Sequence, residues 1–131
     1  MREFWLNGQK WRMVRVGPAS PALIDRRGRL TVGTTEPQSR LICLSTALNG
    51  DELARVAIHE LAHAVMVSFG LLDDVARWAK PEMRVEAEEW CCNFLAEYGM
   101  TVFSTAYALV GPTAWDVLPR ELGKAAQMMV K

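Results

Sequence analysis

The feature that most constrains this chain is an apolar segment interrupted by three titratable side chains. The run from Leu53 to Phe69 is apolar on most sides, which predicts a helix at the centre of the fold. Near its middle stand His59, Glu60 and His63. Residues four apart on a helix share a face, so the two imidazoles project side by side. Burying three such groups without partners is expensive, so the fold must supply partners for them.

The two histidines predict a metal site. They are the only histidines among the 131 residues. Two imidazoles one helical turn apart can grip one ion, and Glu60 lies close enough to take a proton from water without binding the metal. The alternative is a chance pair of helix histidines, which the cost of burial disfavours. The motif therefore predicts that His59 and His63 bind zinc and that Glu60 acts as a general base.

A catalytic zinc site takes a third protein ligand. No histidine remains, so we expect a carboxylate from the next predicted helix, residues 82–98; two imidazoles and one carboxylate suit zinc. Glu89 is preferred because its neighbours on the helix face are small or polar, and Glu88 remains the alternative. Asn93, one turn beyond Glu89, is predicted to hydrogen-bond a ligand histidine. The full set of candidates is Glu86, Glu88, Glu89 and Glu97.

The rest of the chain predicts an α+β fold, with residues 1–48 β-rich and residues 49–131 helical. Asn7-Gly8 is a strong signal for a tight hairpin turn. The short connections between the predicted strands indicate a small, mostly antiparallel sheet packed on a helical half. Further strands are expected at residues 30–34 and 40–45.

Four helices are expected in the second part. They cover residues 51–69, residues 82–98 ending at Gly99, residues 100–110, and a last segment from Pro119 to about residue 129. Residues 71–81 read as a short connection. Along residues 82–98, one buried side is predicted from Trp90, Cys91, Phe94 and Leu95.

Composition excludes several classes of function. Fifteen basic residues balance fifteen acidic ones, so there is no electrostatic case for direct nucleic-acid binding or for an anionic membrane surface. No apolar run reaches the ~18 residues of a membrane span, and the first residues lack the layout of a signal peptide. The three cysteines form no obvious disulfide framework and are expected to be reduced. These features predict one cytoplasmic domain without a membrane partner.

The segment from His59 to Ala64, followed by a glutamate-rich helix, resembles the gluzincin metallopeptidases. It is most similar to the ImmA/IrrE-like group and to small phage-borne relatives. In that group the second helix tends to read E-x-x-A-N/D-x-F-A. Here Glu89 takes the ligand place and Asn93 the polar place, with Cys92 instead of alanine and Leu95 instead of phenylalanine. The resemblance covers roughly residues 40 to 98.

This resemblance implies a zinc-dependent hydrolase that cuts peptide bonds in a protein or peptide substrate. It implies that His59, His63 and Glu89 hold the metal. It also implies that Leu41–Leu44 is an edge strand that pairs with substrate. The alternative is a regulatory or structural zinc domain of phage type with little or no proteolytic activity. Glu60 favours the enzyme, because a purely structural site has no need of a base.

Overall fold

A computed structural model describes residues 1–123 and has the predicted α+β class, which is thereby confirmed. The strands in this part of the chain are β1 (Arg2–Leu6), β2 (Gln9–Val16), β3 (Gly33–Glu36) and β4 (Leu41–Ser45). The helices are α1 (Gly50–Ser68), α2 (Leu71–Trp78) and α3 (Arg84–Val110). Short 3-10 helices cover Pro21–Leu23, Pro81–Met83 and Gly111–Asp116.

The first two strands form the hairpin predicted from Asn7-Gly8. Both turn residues have left-handed backbone angles, with φ of 49° at Asn7 and 73° at Gly8. A two-residue turn of this kind matches the twist of the strands that it joins. Arg2 pairs with Met13 and Leu6 with Gln9, which fixes the register of the hairpin.

The sheet is mixed, with strand order β1-β2-β4-β3. Antiparallel pairing holds for β1–β2 and β3–β4, whereas β2 and β4 run parallel. The prediction of short connections fails between β2 and β4, because the chain crosses over through residues 17–40 and forms β3 on the way. One expectation is therefore corrected. Leu41–Leu44 lies in an interior strand, and β3 is the edge strand beside α1.

Helix α1 separates two apolar clusters. On one side it packs against the sheet around Trp11, Ile42 and Leu44, all of which are fully buried. On the other side, Ala62 and Met66 belong to a second cluster with residues of α2 and α3. Because both sides of α1 are covered, its polar side chains must be satisfied by groups from neighbouring elements.

The helical half differs from the sequence prediction in three places. Residues 71–78 form α2 instead of a connection, and Gly99 does not end α3. The predicted buried side of α3 is wrong. Trp90 and Phe94 are exposed by 66% and 42% and stack on each other. The buried positions of α3 are instead Glu88 and Cys92. Apolar side chains alone did not reveal this side, because ion pairing makes burial of Glu88 acceptable.

The chain divides into two compact units, Met1–Gly99 and a second that begins at Met100. In the second unit, the rings of Phe103 and Trp115 meet edge to face. The helix predicted from Pro119 lies mostly outside the described residues. Among residues 1–123, no single helix is long and apolar enough to cross a membrane; α1 and α2, bent by 86°, pass that test only as a pair and only on length and composition.

Candidate metal centre

Three potential ligand atoms converge between α1 and α3. His59 Nε2 and His63 Nε2 are 3.1 Å apart. Glu89 Oε1 lies 2.6 Å from His63 Nε2 and 3.4 Å from His59 Nε2. The structure therefore brings together the two histidines and the carboxylate preferred from the sequence. They form the one group of metal-binding type within residues 1–123.

The chemistry of this triangle and two of its three edges are compatible with zinc. Ligand atoms about 2.0–2.2 Å from a tetrahedral zinc ion stand roughly 3.3–3.6 Å apart. The two edges that end at His59 Nε2 are close to this range, at 3.1 and 3.4 Å. The edge between His63 and Glu89 is shorter and has the length of an ion pair. Two imidazole nitrogens and one carboxylate oxygen are a donor set that zinc prefers.

The second nitrogen of His63 is held by Glu88. Its Nδ1 lies 2.5 Å from Glu88 Oε2, deep in the fold. A carboxylate at this nitrogen fixes the ring so that Nε2 faces His59 and Glu89. Glu88, the alternative ligand predicted from the sequence, thus contacts Nδ1 of His63, whereas Glu89 contacts Nε2. Asn93 is exposed, and within residues 1–123 no hydrogen bond joins it to either histidine.

Glu60 points into the same space without joining the ligand group. Its carboxyl group is almost fully buried, and Oε2 lies 3.8 Å from His59 Nε2. The hydroxyl of Thr35 on β3 donates to Glu60 Oε1 at 2.8 Å and also approaches the Glu60 carbonyl oxygen at 3.0 Å. Sequence reasoning did not single out Thr35, because nothing local links it to Glu60, which lies 25 positions further along the chain.

Strand β3 can approach α1 this closely because residue 33 is glycine. A Cβ atom at Gly33 would stand 2.6 Å from Val56 Cγ1 and 3.2 Å from Glu60 Cγ. Contacts that short require the helix or strand to move, and a β-branched valine on a helix has little rotamer freedom with which to yield. Gly33 thus permits the contact between the edge strand and the base.

Negative charge dominates the ligand cluster. Hydrogen bonds from His59 and His63 hold the pKa of Glu89 well below its usual range. Burial is the largest single effect on the pKa of Glu88 and would raise it, but the hydrogen bonds and charges of His63 and Arg26 together outweigh burial and lower that pKa. Burial has the opposite effect on a histidine and lowers the pKa of His63. Contacts with Cys92, Glu88 and Glu89 outweigh burial and raise that pKa to about 12. The carboxylates of Glu88 and Glu89 thus favour a positive charge at this position, and a metal ion bound there would have to displace a proton from His63.

The pKa of Glu60 is shifted upward, in contrast to the pKa values of Glu88 and Glu89. Burial raises the pKa of its carboxyl group, and the Thr35 hydroxyl offsets part of that rise. A carboxylate with a raised pKa is a stronger base, which matches the expected role of Glu60.

The cluster opens onto a cleft of about 940 Å³. Its walls are formed by α1, by the beginning of α3 and by β3 with the loop before it. This volume lies at the upper end of the range usual for small-molecule sites. Glu60 and the three residues of the candidate metal group therefore line one cleft.

No protein-family model and no curated protein matches the chain. The resemblance to the gluzincin group therefore stays a prediction.

Proposed function

We propose that this chain is a zinc-dependent peptidase of the gluzincin type, with a protein or peptide as substrate. One observation carries the proposal. His59, His63 and Glu89 bring together three atoms that could hold a metal ion, and the buried carboxyl group of Glu60 stands beside them in an open cleft. A structural zinc site normally takes four protein ligands and has no open position. Three ligands with an adjacent base are typical of a hydrolytic site.

Zinc held by these residues would supply Lewis acidity, which acidifies water and polarises the scissile carbonyl group. Glu60 accepts a proton from the water molecule as the water oxygen bonds to the carbonyl carbon. Glu60 then delivers that proton to the departing nitrogen as the C–N bond breaks. Thr35 holds one oxygen of Glu60 and leaves the other oxygen for this proton transfer.

The substrate is proposed to bind along β3. This strand pairs with β4 on one side and forms an outer edge of the four-stranded sheet. Its residues line the cleft, and Thr35 on it contacts the base directly. An extended peptide that adds to such an edge gains main-chain hydrogen bonds, which hold many sequences equally well. A peptide in this position would run past Glu60.

Metal dependence and peptide cleavage test the proposal together. The purified chain would be incubated with a mixture of synthetic peptides of randomised sequence, and new termini would be read by mass spectrometry. We expect cleavage that stops when a chelator removes the metal and returns with added zinc. Cleavage that survives complete metal removal would contradict the proposal. Stoichiometric zinc with no cleavage across the mixture would favour the regulatory alternative.

The contact between Thr35 and Glu60 gives a second prediction. Replacing Thr35 with valine keeps the shape and removes the hydroxyl, so Glu60 loses its partner. Zinc content should stay the same while turnover falls by at least about tenfold, since a hydrogen bond to a charged group contributes about 1.5–3 kcal/mol and about 1.4 kcal/mol corresponds to a tenfold change in rate. Turnover and zinc would be measured on the same preparation.

The control is the same substitution at the next residue of β3. Thr34→Val removes a hydroxyl that donates to the Ala22 carbonyl oxygen, away from Glu60. Equal losses in the two variants would show that the strand, and not the contact with the base, is responsible.

A further inference from the structure

Glu88 links the ligand histidine to a loop on the other side of the cleft. Its Oε2 lies 2.5 Å from His63 Nδ1, and its Oε1 accepts a hydrogen bond from Arg26 Nη1 at 3.3 Å. Each oxygen of the Glu88 carboxylate therefore has one partner, His63 at Oε2 and Arg26 at Oε1. Because the Glu88 side chain is only 9% exposed, water contributes little to fixing its orientation.

The loop that carries Arg26 is held in shape by hydrogen bonds between its own residues. Asp25 Oδ1 accepts hydrogen bonds from the backbone N–H groups of Arg27 and Arg29, at 2.8 and 2.9 Å. The Asp25 N–H donates in turn to the Arg29 carbonyl oxygen at 2.8 Å. Gly28 supplies the left-handed angle that closes the turn, with φ of 78°. The turn therefore presents Arg26 from a fixed backbone position.

We propose that Arg26 is a positioning residue, which acts through Glu88 to orient His63 and so strengthens zinc binding. This inference rests on the proposed metal site. Arg26 anchors one oxygen of Glu88, and the anchored carboxylate holds the His63 ring with Nε2 facing His59 and Glu89. Partners outside the ligand shell act on metal affinity in this way, because a ligand that is already oriented loses less freedom on binding.

A neighbouring ion pair provides a matched control. Arg27 Nη2 and Glu86 Oε1 are 3.0 Å apart, and the pair joins the same turn to the same helix. Both side chains are nearly half exposed, and within residues 1–123 no hydrogen bond or ion pair joins Glu86 to a histidine. Removing Arg27 therefore removes one positive charge and one link between the turn and α3, but leaves His63 untouched.

Zinc affinity would be measured by competition with a chromophoric chelator in the full chain. We expect Arg26→Ala to weaken binding by about tenfold, the low end of what loss of an outer partner costs. Arg27→Ala should change affinity by less than about twofold, since exposed ion pairs contribute little. Arg26→Lys should recover part of the loss, because it keeps the charge without the planar fork.

A double-mutant cycle separates positioning from a general effect of charge. Glu88→Ala removes both carboxylate oxygens and so breaks the link, which means that adding Arg26→Ala to it should have no further effect on zinc affinity. The imidazole N–H of His63 gives an independent signal in NMR spectra, since the chain has only two histidines. Its proton should exchange faster with solvent in zinc-loaded Arg26→Ala and at the original rate in Arg27→Ala.

Equal zinc affinities of Arg26→Ala and Arg27→Ala would overturn the inference, as would additive effects in the cycle. Both results leave the proposed zinc site intact. A wild-type chain that binds no zinc would overturn the proposed function itself, so the two failures are distinguishable.

Discussion

Replacing Glu60 with glutamine is expected to leave zinc bound and to lower peptide hydrolysis by at least about 100-fold, the low end of what general acid–base catalysis contributes. In the wild type the Thr35 hydroxyl donates to Glu60 Oε1. Glutamine has the same size and still offers an oxygen to that hydroxyl. The substitution removes only the ability to accept a proton. Glu60 lies outside the ligand triangle, so the metal has no direct reason to leave.

The fold should tolerate this change. Burial raises the pKa of Glu60, which means that the fold disfavours its charged form. A neutral amide of the same shape avoids that cost, so the thermal midpoint should not fall appreciably. A loss of turnover in Glu60→Gln would then report on chemistry and not on unfolding.

The matched control is Glu86→Gln, the same substitution at a half-exposed glutamate of α3. Zinc content and turnover would be measured on the same preparations of the wild type and both variants. Lost zinc in Glu60→Gln would make Glu60 a ligand. Retained zinc with unchanged turnover would show that the measured hydrolysis does not use this base.

The second large effect is expected at the ligands. The wild type should carry about one zinc per chain, and His59→Ala, His63→Ala and Glu89→Gln should each weaken zinc binding by more than about 100-fold, above the cost of losing an outer partner. The physical reason is the triangle itself. Each of the three atoms stands within 3.4 Å of the other two, so removing one leaves two donors for the ion.

Two other glutamates of α3 serve as controls. Glu97 pairs with Arg55 on the exposed rim, so Glu97→Gln should leave zinc affinity unchanged. Glu88→Gln should weaken binding by about 10–100-fold and still leave measurable zinc, as expected for an outer partner. A complete loss of zinc in Glu88→Gln, with retention in Glu89→Gln, would exchange the roles of these two residues.

The sequence by itself determined the local features of this protein. His59 and His63 lie one helical turn apart, with Glu60 next to them, because α-helical spacing fixes the relation of residues four apart. Asn7-Gly8 determined the hairpin for a similar reason, since both residues readily adopt left-handed angles. Glu89 also lies beside the two histidines, and its role as the third ligand, inferred from the character of its helix neighbours, stays a prediction. These interactions act over short stretches, so they are readable from the order of residues.

Only the tertiary structure decided how the elements face one another. Glu88 and Glu89 differ by about 100° around α3, and the rotation of that helix against α1 assigns them to opposite nitrogens of His63. The crossover after β2 made β3 the edge strand, which put Thr35 beside Glu60. Arg26 meets Glu88 across 62 positions of sequence. Such contacts depend on packing and long-range charge pairing, and no periodicity in the sequence encodes them.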